Sequence, residues 1–492
     1  MDKLTLKMKD HAMLRVTECP PHVATALSEY FTFEVPGAKY MPAVKARRWD
    51  GKIRMFNRTN GEINAGLYSS IQYFCKINGY QLETIPSKVY GSPKDKNKIE
   101  HISTMKWLAS LELPFAPRDY QYDAFIHGVT NKRCLLISPT GSGKSFIIYL
   151  LLRWYLENHD QKVLLIVPTT TLVEQMYKDF ESYGFDVNSN CHRIYSGKEK
   201  ETDKRVIITT WQSIYKLSPK WFDEYGCIFG DEVHGFKSKS LSSIMNKSVN
   251  AEYRFGTTGT LDGTQVNQMV LEGLFGPAEK VTTTAILQEK NELASLNINI
   301  IQLQYSKEDL DQFSDISYQG EIDFLVSHEA RNRFIRNLAC SLDGNTLVLF
   351  NLVERHGKVL RDLIEEKLDD GRRLFYVSGE TKTSDREFVR GVVEKQTNAI
   401  VLASLGTFST GINIRNIHNI IFASPSKSQI RVLQSIGRGL RLADDGRTTR
   451  LYDIADDLRT NGKPNFTLRH SAERIKIYEK EEFDFKITSV KI

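Results

Sequence analysis

The feature that most restricts this chain is a short apolar run, Cys134 to Ile137, that opens straight onto Ser138-Pro139-Thr140-Gly141-Ser142-Gly143-Lys144-Ser145 and then onto a helical pattern beginning Phe146-Ile147-Ile148. A buried strand, a glycine-bearing turn and a helix in that order start a βαβ unit, whose parallel sheet is covered on both faces. The glycines let main-chain N–H groups approach a phosphate chain, and the helix N-terminus favours the same negative charge. Lys144 can reach the β- and γ-phosphates and the Ser145 hydroxyl can ligate Mg²⁺, so Thr140, Gly141, Ser142, Gly143, Lys144 and Ser145 are assigned to ATP and its metal. Ser138 stands where this loop pattern ordinarily has glycine.

A parallel α/β sheet needs further apolar runs separated by helix-length segments, and the chain supplies them twice. Val163 to Val167, Val206 to Ile208 and Cys227 to Phe229 accompany the first run; Thr346 to Phe350, Arg373 to Val377, Ala399 to Ala403 and Ile420 to Ala423 form a second set. A length of 492 residues exceeds the roughly 250–300 that one core serves. The expected fold class is therefore α/β, with two tandem parallel-sheet lobes behind a small N-terminal α/β unit. The expected domains are 1–90 (accessory), 91–112 (linker), 113–285 (first lobe), 286–330 (connecting segment), 331–460 (second lobe) and 461–492 (tail). The accessory unit is read as a helix from Pro21 to Phe31 and strands through Lys52 to Phe56 and Leu82 to Ile85. The tail is read as a helix from Thr467 to about Lys480, followed by a short strand.

The second half of a nucleotide site belongs at the end of another strand, where Cys227-Ile228-Phe229-Gly230 delivers Asp231-Glu232-Val233-His234. Asp231 can hold Mg²⁺ through water while Glu232 orients and deprotonates the attacking water. His234 is given a relay role. Phosphoryl transfer gains about 10³–10⁵ from an arginine at the γ-phosphate, and Gln434-Ser435-Ile436-Gly437-Arg438-Gly439-Leu440-Arg441 places two arginines three apart on one helical face. Gln434, Arg438 and Arg441 are the candidates in the second lobe, although arginines at this spacing are common on surfaces.

Order along the chain gives these pieces their meaning. Over residues 113 to 445 the sequence resembles the superfamily 2 helicases, ATP-driven motors of two RecA-like lobes, motif by motif. The resemblance implies that Gln121 of Arg118-Asp119-Tyr120-Gln121 reads adenine with Arg118 in support. It implies that Thr258 and Thr260 of Gly256-Thr257-Thr258-Gly259-Thr260-Leu261 couple hydrolysis to lobe movement, and that Gly411 and Asn413 contact ribose and phosphate. An Asp is frequent in that family at the place of Asn413. Nucleic-acid contacts in the family run along the phosphate backbone, which calls for hydroxyls and main-chain amides; Thr169, Thr170, Thr209, Thr210, Gln212, Ser404 and Thr407 match those positions.

Outside the motor, residues 1–100 carry 16 Lys and Arg against 10 Asp and Glu, an excess equal to the net charge of +6 of the whole chain. Lys39, Lys45, Arg47, Arg48, Lys52, Arg54 and Arg58 lie beside Tyr40, Trp49 and Phe56, a mixture suited to phosphate contact and base stacking and equally to a solvated basic face. The stretch Trp49-Asp50-Gly51-Lys52-Ile53-Arg54, together with Phe375 to Glu380, Phe408 to Ile412 and Leu468 to Ile475, resembles the UvsW-like helicases of tailed bacteriophages. That resemblance implies a helicase acting on branched or forked DNA, single- and double-stranded, by fork regression, junction migration and unwinding of D-loops and of R-loops with their RNA–DNA hybrids. It implies that Arg47, Arg48, Trp49, Lys52 and Arg54 engage DNA. An RNA helicase, a duplex translocase that leaves strands paired, and a DNA-binding protein with a degenerate ATPase fold remain as rivals. Six scattered cysteines without a CxxC pair suggest neither a disulfide framework nor a zinc ribbon. With no leader pattern and no long apolar run, a cytoplasmic protein without membrane contact is expected.

Overall fold

Two seven-stranded parallel sheets carry the two units into which the chain divides, Met1–Ser138 with Gly143–Thr282 and Pro139–Ser142 with Thr283–Ile492. The computed structural model describes residues 2–85, 101–195, 197, 199–235, 238–259, 261, 265–290, 292–293, 295–312, 316–369, 371–411, 414, 416–424, 448–460 and 462–492.

In the first unit the strands run in the order Cys191–Ile194, Val206–Thr210, Lys162–Val167, Tyr225–Gly230, Tyr253–Thr258, Arg133–Ile137 and Ala278–Lys280. Successive side chains of a strand point to opposite faces, and here both faces are apolar: Val163, Leu165 and Val167 enter one core cluster while Leu164 and Ile166 enter the other. That is why these segments read as continuous apolar runs rather than as alternating ones. Tyr253–Thr258, read from sequence only as a linking motif, is a central strand between Tyr225–Gly230 and Arg133–Ile137. Within the stretch read as linker, His101–Ser110 form a helix whose Leu108 joins the lobe core and whose Trp107 stacks on Phe125 at 5.4 Å.

The N-terminal residues build a five-stranded sheet in the order Phe56–Asn57, Glu62–Asn64, Met13–Glu18, Lys3–Met8 and Gln81–Ile85, packed on helices Pro21–Tyr30 and Tyr68–Asn78. The expected single strand from Lys52 to Phe56 is instead two. Lys52–Arg54 pair with Thr32–Glu34, whereas Phe56–Asn57 pair with Glu62–Asn64. The chain changes sheet at Met55, whose side chain packs against both the N-terminal core and that of the first seven-stranded sheet. The accessory sheet also sits directly on this lobe. Asn64 Nδ2 donates to Asn246 Oδ1 at 3.0 Å, Arg133 donates to the His11 carbonyl at 2.7 Å, and a Cβ on Gly66 would lie 2.1 Å from the Glu272 carbonyl oxygen.

The second unit orders its strands Arg373–Val377, Ala399–Ser404, Thr346–Phe350, Asn419–Phe422, Thr449–Asp457, Leu296–Gln304 and Phe485–Lys491. All four strands read from the sequence of this lobe are present. Leu296–Gln304 is a finding of the structure: it lies in the segment read as a connection without clear signal, and pairs in parallel with both Thr449–Asp457 and the tail strand. Among the described residues no helix is long and apolar enough to cross a membrane.

Candidate nucleotide site and nucleic-acid contacts

Strand Arg133–Ile137 continues one residue past its end, because the Ser138 amide donates to the Thr258 carbonyl at 2.9 Å. The loop then turns through Thr140 and Gly141 to Gly143, with φ of 89° at Gly141 and 78° at Gly143. Those values lie in the left-handed region that glycine adopts without penalty. Close approach adds a second reason at Gly143, where a Cβ would come 2.4 Å from Gln121 Nε2. Gln121 is buried against the loop, and its Oε1 accepts the Arg118 amide at 3.0 Å to begin helix Asp119–Asn131. The Arg118 guanidinium donates to the Tyr120 hydroxyl at 2.9 Å. Ser142 Oγ closes the loop on the Pro139 carbonyl at 2.7 Å.

Lys144 opens helix Lys144–Asn158, and its ammonium lies 3.2 Å from the Ser138 carbonyl oxygen and 3.4 Å from Glu232 Oε1. Next to it, Ser145 Oγ is 2.9 Å from the hydroxyl of Tyr183. The parallel strand Tyr225–Gly230 hands Asp231 to the same end of the sheet, its amide donating to the Ile166 carbonyl at 2.9 Å. Asp231 Oδ1 accepts the Thr257 hydroxyl at 2.6 Å and the Glu232 amide at 2.9 Å.

The two adjacent carboxylates are driven apart. Burial first, and then the neighbouring Glu232 charge, push the Asp231 carboxyl up to about 6. Burial acts the same way on Glu232, but the Lys144 and His234 charges outweigh it and hold that carboxyl below its ordinary value. Glu232 also has φ of 48°, a left-handed conformation that a residue with a side chain adopts at a cost of order 1–3 kcal/mol, typically at functional sites. His234 Nδ1 contacts Thr258 Oγ1 at 2.7 Å and lies 3.4 Å from Glu232 Oε2. Glu232 Oε2 is buried and makes no hydrogen bond among the described residues.

These residues fit the groups assigned to them. The Ser145 hydroxyl and Asp231 carboxylate are hard oxygen donors of the kind Mg²⁺ takes in ones and twos, with phosphate and water completing its shell. The amides of a glycine-rich turn and an ammonium at a helix N-terminus suit the phosphates. The Glu232 oxygen without a donor suits a group that must engage water. Two neighbours escaped the sequence reading. Thr257 lies inside the motif at residues 256–261 but carries no assigned role there, and Tyr183, remote from the loop in sequence, gives no local signal at all.

The phosphate-backbone candidates of the first unit gather at one edge. Val167 and Thr210 are paired across neighbouring strands, so Pro168-Thr169-Thr170 and Thr210-Trp211-Gln212 leave the sheet side by side, joined by a 3.2 Å bond from Gln212 Nε2 to the Pro168 carbonyl. Thr169 caps helix Thr170–Ser182 by accepting the Leu172 amide at 3.3 Å, and Thr170 is exposed. Thr210 Oγ1 contacts Ser213 Oγ at 2.9 Å. Thr209 differs, for its hydroxyl is fully buried and donates to the Ile194 carbonyl at 3.0 Å. In the second unit, buried Ser404 Oγ donates to buried Thr407 Oγ1 at 2.7 Å, and Gly411 ends helix Leu405–Gly411. Thr260, Asn413, Gln434, Arg438 and Arg441 lie outside the described residues.

The basic segment is partly neutralised. Arg54 bonds Asp50 at 2.5 Å and holds that carboxyl down to about 2, while Lys52 lies 3.7 Å from Glu34. Trp49 is half-buried, with its indole N–H donating to the Lys52 carbonyl at 2.9 Å. Arg47 and Arg48 are exposed and make no ion pair among the described residues, and Tyr40 beside them is 68% exposed.

Comparison with known proteins follows the same division. Residues 3–84 match the model described as DNA helicase UvsW, N-terminal; residues 103–263 match Type III restriction enzyme, res subunit; residues 329–443 match Helicase conserved C-terminal domain. The ATP-dependent DNA helicase uvsW of Enterobacteria phage T4 is 34% identical over a 505-residue alignment covering 98% of each chain. The crystal structure of T4 UvsW superposes with a TM-score of 0.53 at 32% identity, covering 99% of both chains. An ATP-dependent Type ISP restriction-modification enzyme bound to DNA reaches a TM-score of 0.58 over 84% of this chain and 33% of its own, at 16% identity, a likeness of fold alone.

Proposed function

The chain belongs to the UvsW family of ATP-dependent DNA helicases, and from that premise we propose that it remodels branched DNA, regressing forks, migrating junctions and unwinding D-loops and R-loops. The observation that carries this reading is the basic N-terminal unit, fixed by Asn64, Gly66 and the His11 carbonyl to the same unit that carries Lys144, Asp231 and Glu232. A DNA-engaging surface held rigidly to the motor transmits each change of that lobe to the duplex or junction it grips. Arg47 and Arg48 supply charge for phosphates there that no ion pair among the described residues neutralises, Lys52 and Arg54 add partly neutralised charge, and Trp49 stiffens the strand pair beside them.

In the ATPase site, the loop from Thr140 to Gly143 and Lys144 bind the phosphates, Gln121 with Arg118 recognises adenine, and Ser145 and Asp231 hold Mg²⁺. The cation, when bound, screens phosphate charge and orients the γ-phosphoryl group. Glu232 takes a proton from the attacking water through Oε2, which accepts no hydrogen bond among the described residues. His234, which lies beside Glu232 and is hydrogen-bonded to Thr258, relays the change with Thr258 and Thr260. Gln434, Arg438 and Arg441 of the second unit stabilise charge at the γ-phosphate, and Gly411 and Asn413 contact ribose and phosphate. Along the single strand, Thr169, Thr170, Thr210, Gln212, Ser404 and Thr407 contact phosphates, while Thr209 acts from within the sheet by fixing the strand end.

The test is an unwinding assay on forked, four-way, D-loop and R-loop substrates with and without ATP, beside ATPase stimulation by single-stranded DNA, branched DNA and RNA. Branched DNA is expected to give the highest stimulation and ATP-dependent product. Lys144→Ala is expected to lower turnover on the order of 10²–10³, the loss seen when one transition-state donor is removed. Stimulation by RNA alone would refute the DNA assignment, and branch migration surviving Lys144→Ala would refute the motor.

A further inference from the structure

The two side chains assigned to the metal each lean on a hydroxyl that belongs to neither nucleotide motif. Tyr183 follows helix Thr170–Ser182, its amide bonded to the Asp179 carbonyl at 3.0 Å, and its own carbonyl accepts the Tyr149 hydroxyl at 3.3 Å. Its ring packs edge-on to Phe146 at 5.1 Å, against Tyr149 at 5.3 Å and edge-on to Phe115 at 5.8 Å. Phe146 and Tyr149 lie on the P-loop helix itself, so the hydroxyl of Tyr183 is aimed at Ser145, one residue before Phe146, from a ring with little freedom to swing. Thr257 reaches Asp231 through sheet register. Gly256 stands opposite Gly230 in the parallel pair, which places the next residues of the two strands side by side. A Cβ on either glycine would meet the Phe275 ring, at 2.8 Å from Gly230 and 2.9 Å from Gly256, so that ring packs tightly over the pair just before the site. Thr257 is 2% exposed, and its hydroxyl lies 2.6 Å from Asp231 Oδ1 but 3.4 Å from the Gly230 carbonyl, so its one proton goes to the carboxylate.

We propose that Tyr183 and Thr257 are positioning residues of the magnesium site, their hydroxyls donating to Ser145 Oγ and Asp231 Oδ1. Each donation fixes a side-chain rotamer and leaves oxygen lone pairs on Ser145 and on Asp231 Oδ2 for the cation. The inference rests on the assignment of Ser145 and Asp231 to the metal. Partners that orient metal ligands are typically worth about 10- to 100-fold in metal affinity or activity.

The experiment is a Mn²⁺ titration of the full-length protein with ADP, followed by the electron paramagnetic resonance of free Mn²⁺, for Tyr183→Phe, Thr257→Val and Thr257→Ser. Binding of ADP without metal, measured alongside, separates lost metal affinity from lost nucleotide affinity. Tyr183→Phe and Thr257→Val are expected to raise the half-saturating Mn²⁺ concentration about 10-fold or more, with the Mg²⁺ dependence of ATP hydrolysis moving the same way, and Thr257→Ser to restore it. A variant that binds Mn²⁺ as tightly as the parent, or more tightly, removes that residue from the assignment. Lys144→Ala separates the two levels: hydrolysis surviving it refutes the nucleotide site as a whole. Hydrolysis lost there, with metal affinity intact in Tyr183→Phe and Thr257→Val, refutes only the positioning shell.

Discussion

His356 is fully buried in the second unit, its Nδ1 3.0 Å from Ser424 Oγ and its Nε2 without a hydrogen bond among the described residues. Burial first, and the nearby Arg331 charge second, push its pKa down to about 3, so the imidazole is neutral in the folded protein. An unfolded histidine titrates near 6.5. Between those values the unfolded chain binds the proton that the native one refuses, so stability falls as pH drops below about 6.5 and keeps falling toward 3. From pH 7 to pH 5 this one group is expected to remove about 2 kcal/mol. Urea unfolding of His356→Gln should show a shallower loss over that interval than the parent, and an unchanged slope would assign the acid sensitivity elsewhere. The same reasoning from surroundings explains which residue-scale roles were legible. Lys144, Ser145, Asp231 and Glu232 stand out as candidates through flanking strand and helix patterns, because a P-loop and a strand-end carboxylate pair are local constructions. Thr209 matched its motif equally well, yet strand alternation turns its hydroxyl into the sheet, toward the Ile194 carbonyl.

At the scale of elements, strand Thr449–Asp457 ties both faces of the second sheet through charge. Asp453 and Asp456 are an odd number of residues apart and so face opposite ways. Arg331 and the Tyr305 hydroxyl satisfy Asp456, each at 2.7 Å, while Arg474 at 2.6 Å and the Tyr478 hydroxyl at 2.8 Å satisfy Asp453. Both pairs are almost completely buried. Helix Phe466–Lys480 consequently turns Thr467, Ser471, Arg474 and Tyr478 inward on one face. Its N-terminus is held by buried Glu321, which accepts the Phe466 amide at 2.9 Å and the Thr467 amide at 2.7 Å. Apolar periodicity does not show such a face, although the helix itself was readable. Removing one partner of a buried pair strands the other charge, so Asp453→Ala is expected to cost about 3–5 kcal/mol. Replacing both Asp453 and Arg474 with leucine should recover much of that loss in chemical denaturation. Equal losses in the single and double variants would mean that the pair does not act as a unit.

At the scale of the molecule, the accessory sheet and the first lobe depend on a close contact at Gly66, which leaves no room for a methyl group beside the Glu272 and Gly273 carbonyls. Gly66→Ala is expected to cost about 1–3 kcal/mol through overpacking and to loosen the N-terminal unit. Hydrogen exchange should then speed up across residues 2–85, and DNA stimulation of ATP hydrolysis should fall while unstimulated hydrolysis persists. Unchanged exchange would show that Asn64 and the His11 carbonyl suffice to hold the unit. By itself the sequence determined the α/β class and the two tandem lobes, and it singled out the candidate nucleotide residues, because each is encoded in runs of contiguous residues whose period and flanks specify a strand end or a helix start. Only the tertiary structure decided the change of sheet at Met55, the recruitment of Leu296–Gln304 and the tail strand into the second sheet, and the approach of Tyr183 to Ser145 and of Thr257 to Asp231. Each of these depends on which remote segments pair and pack, and pairing leaves no periodic trace in the chain.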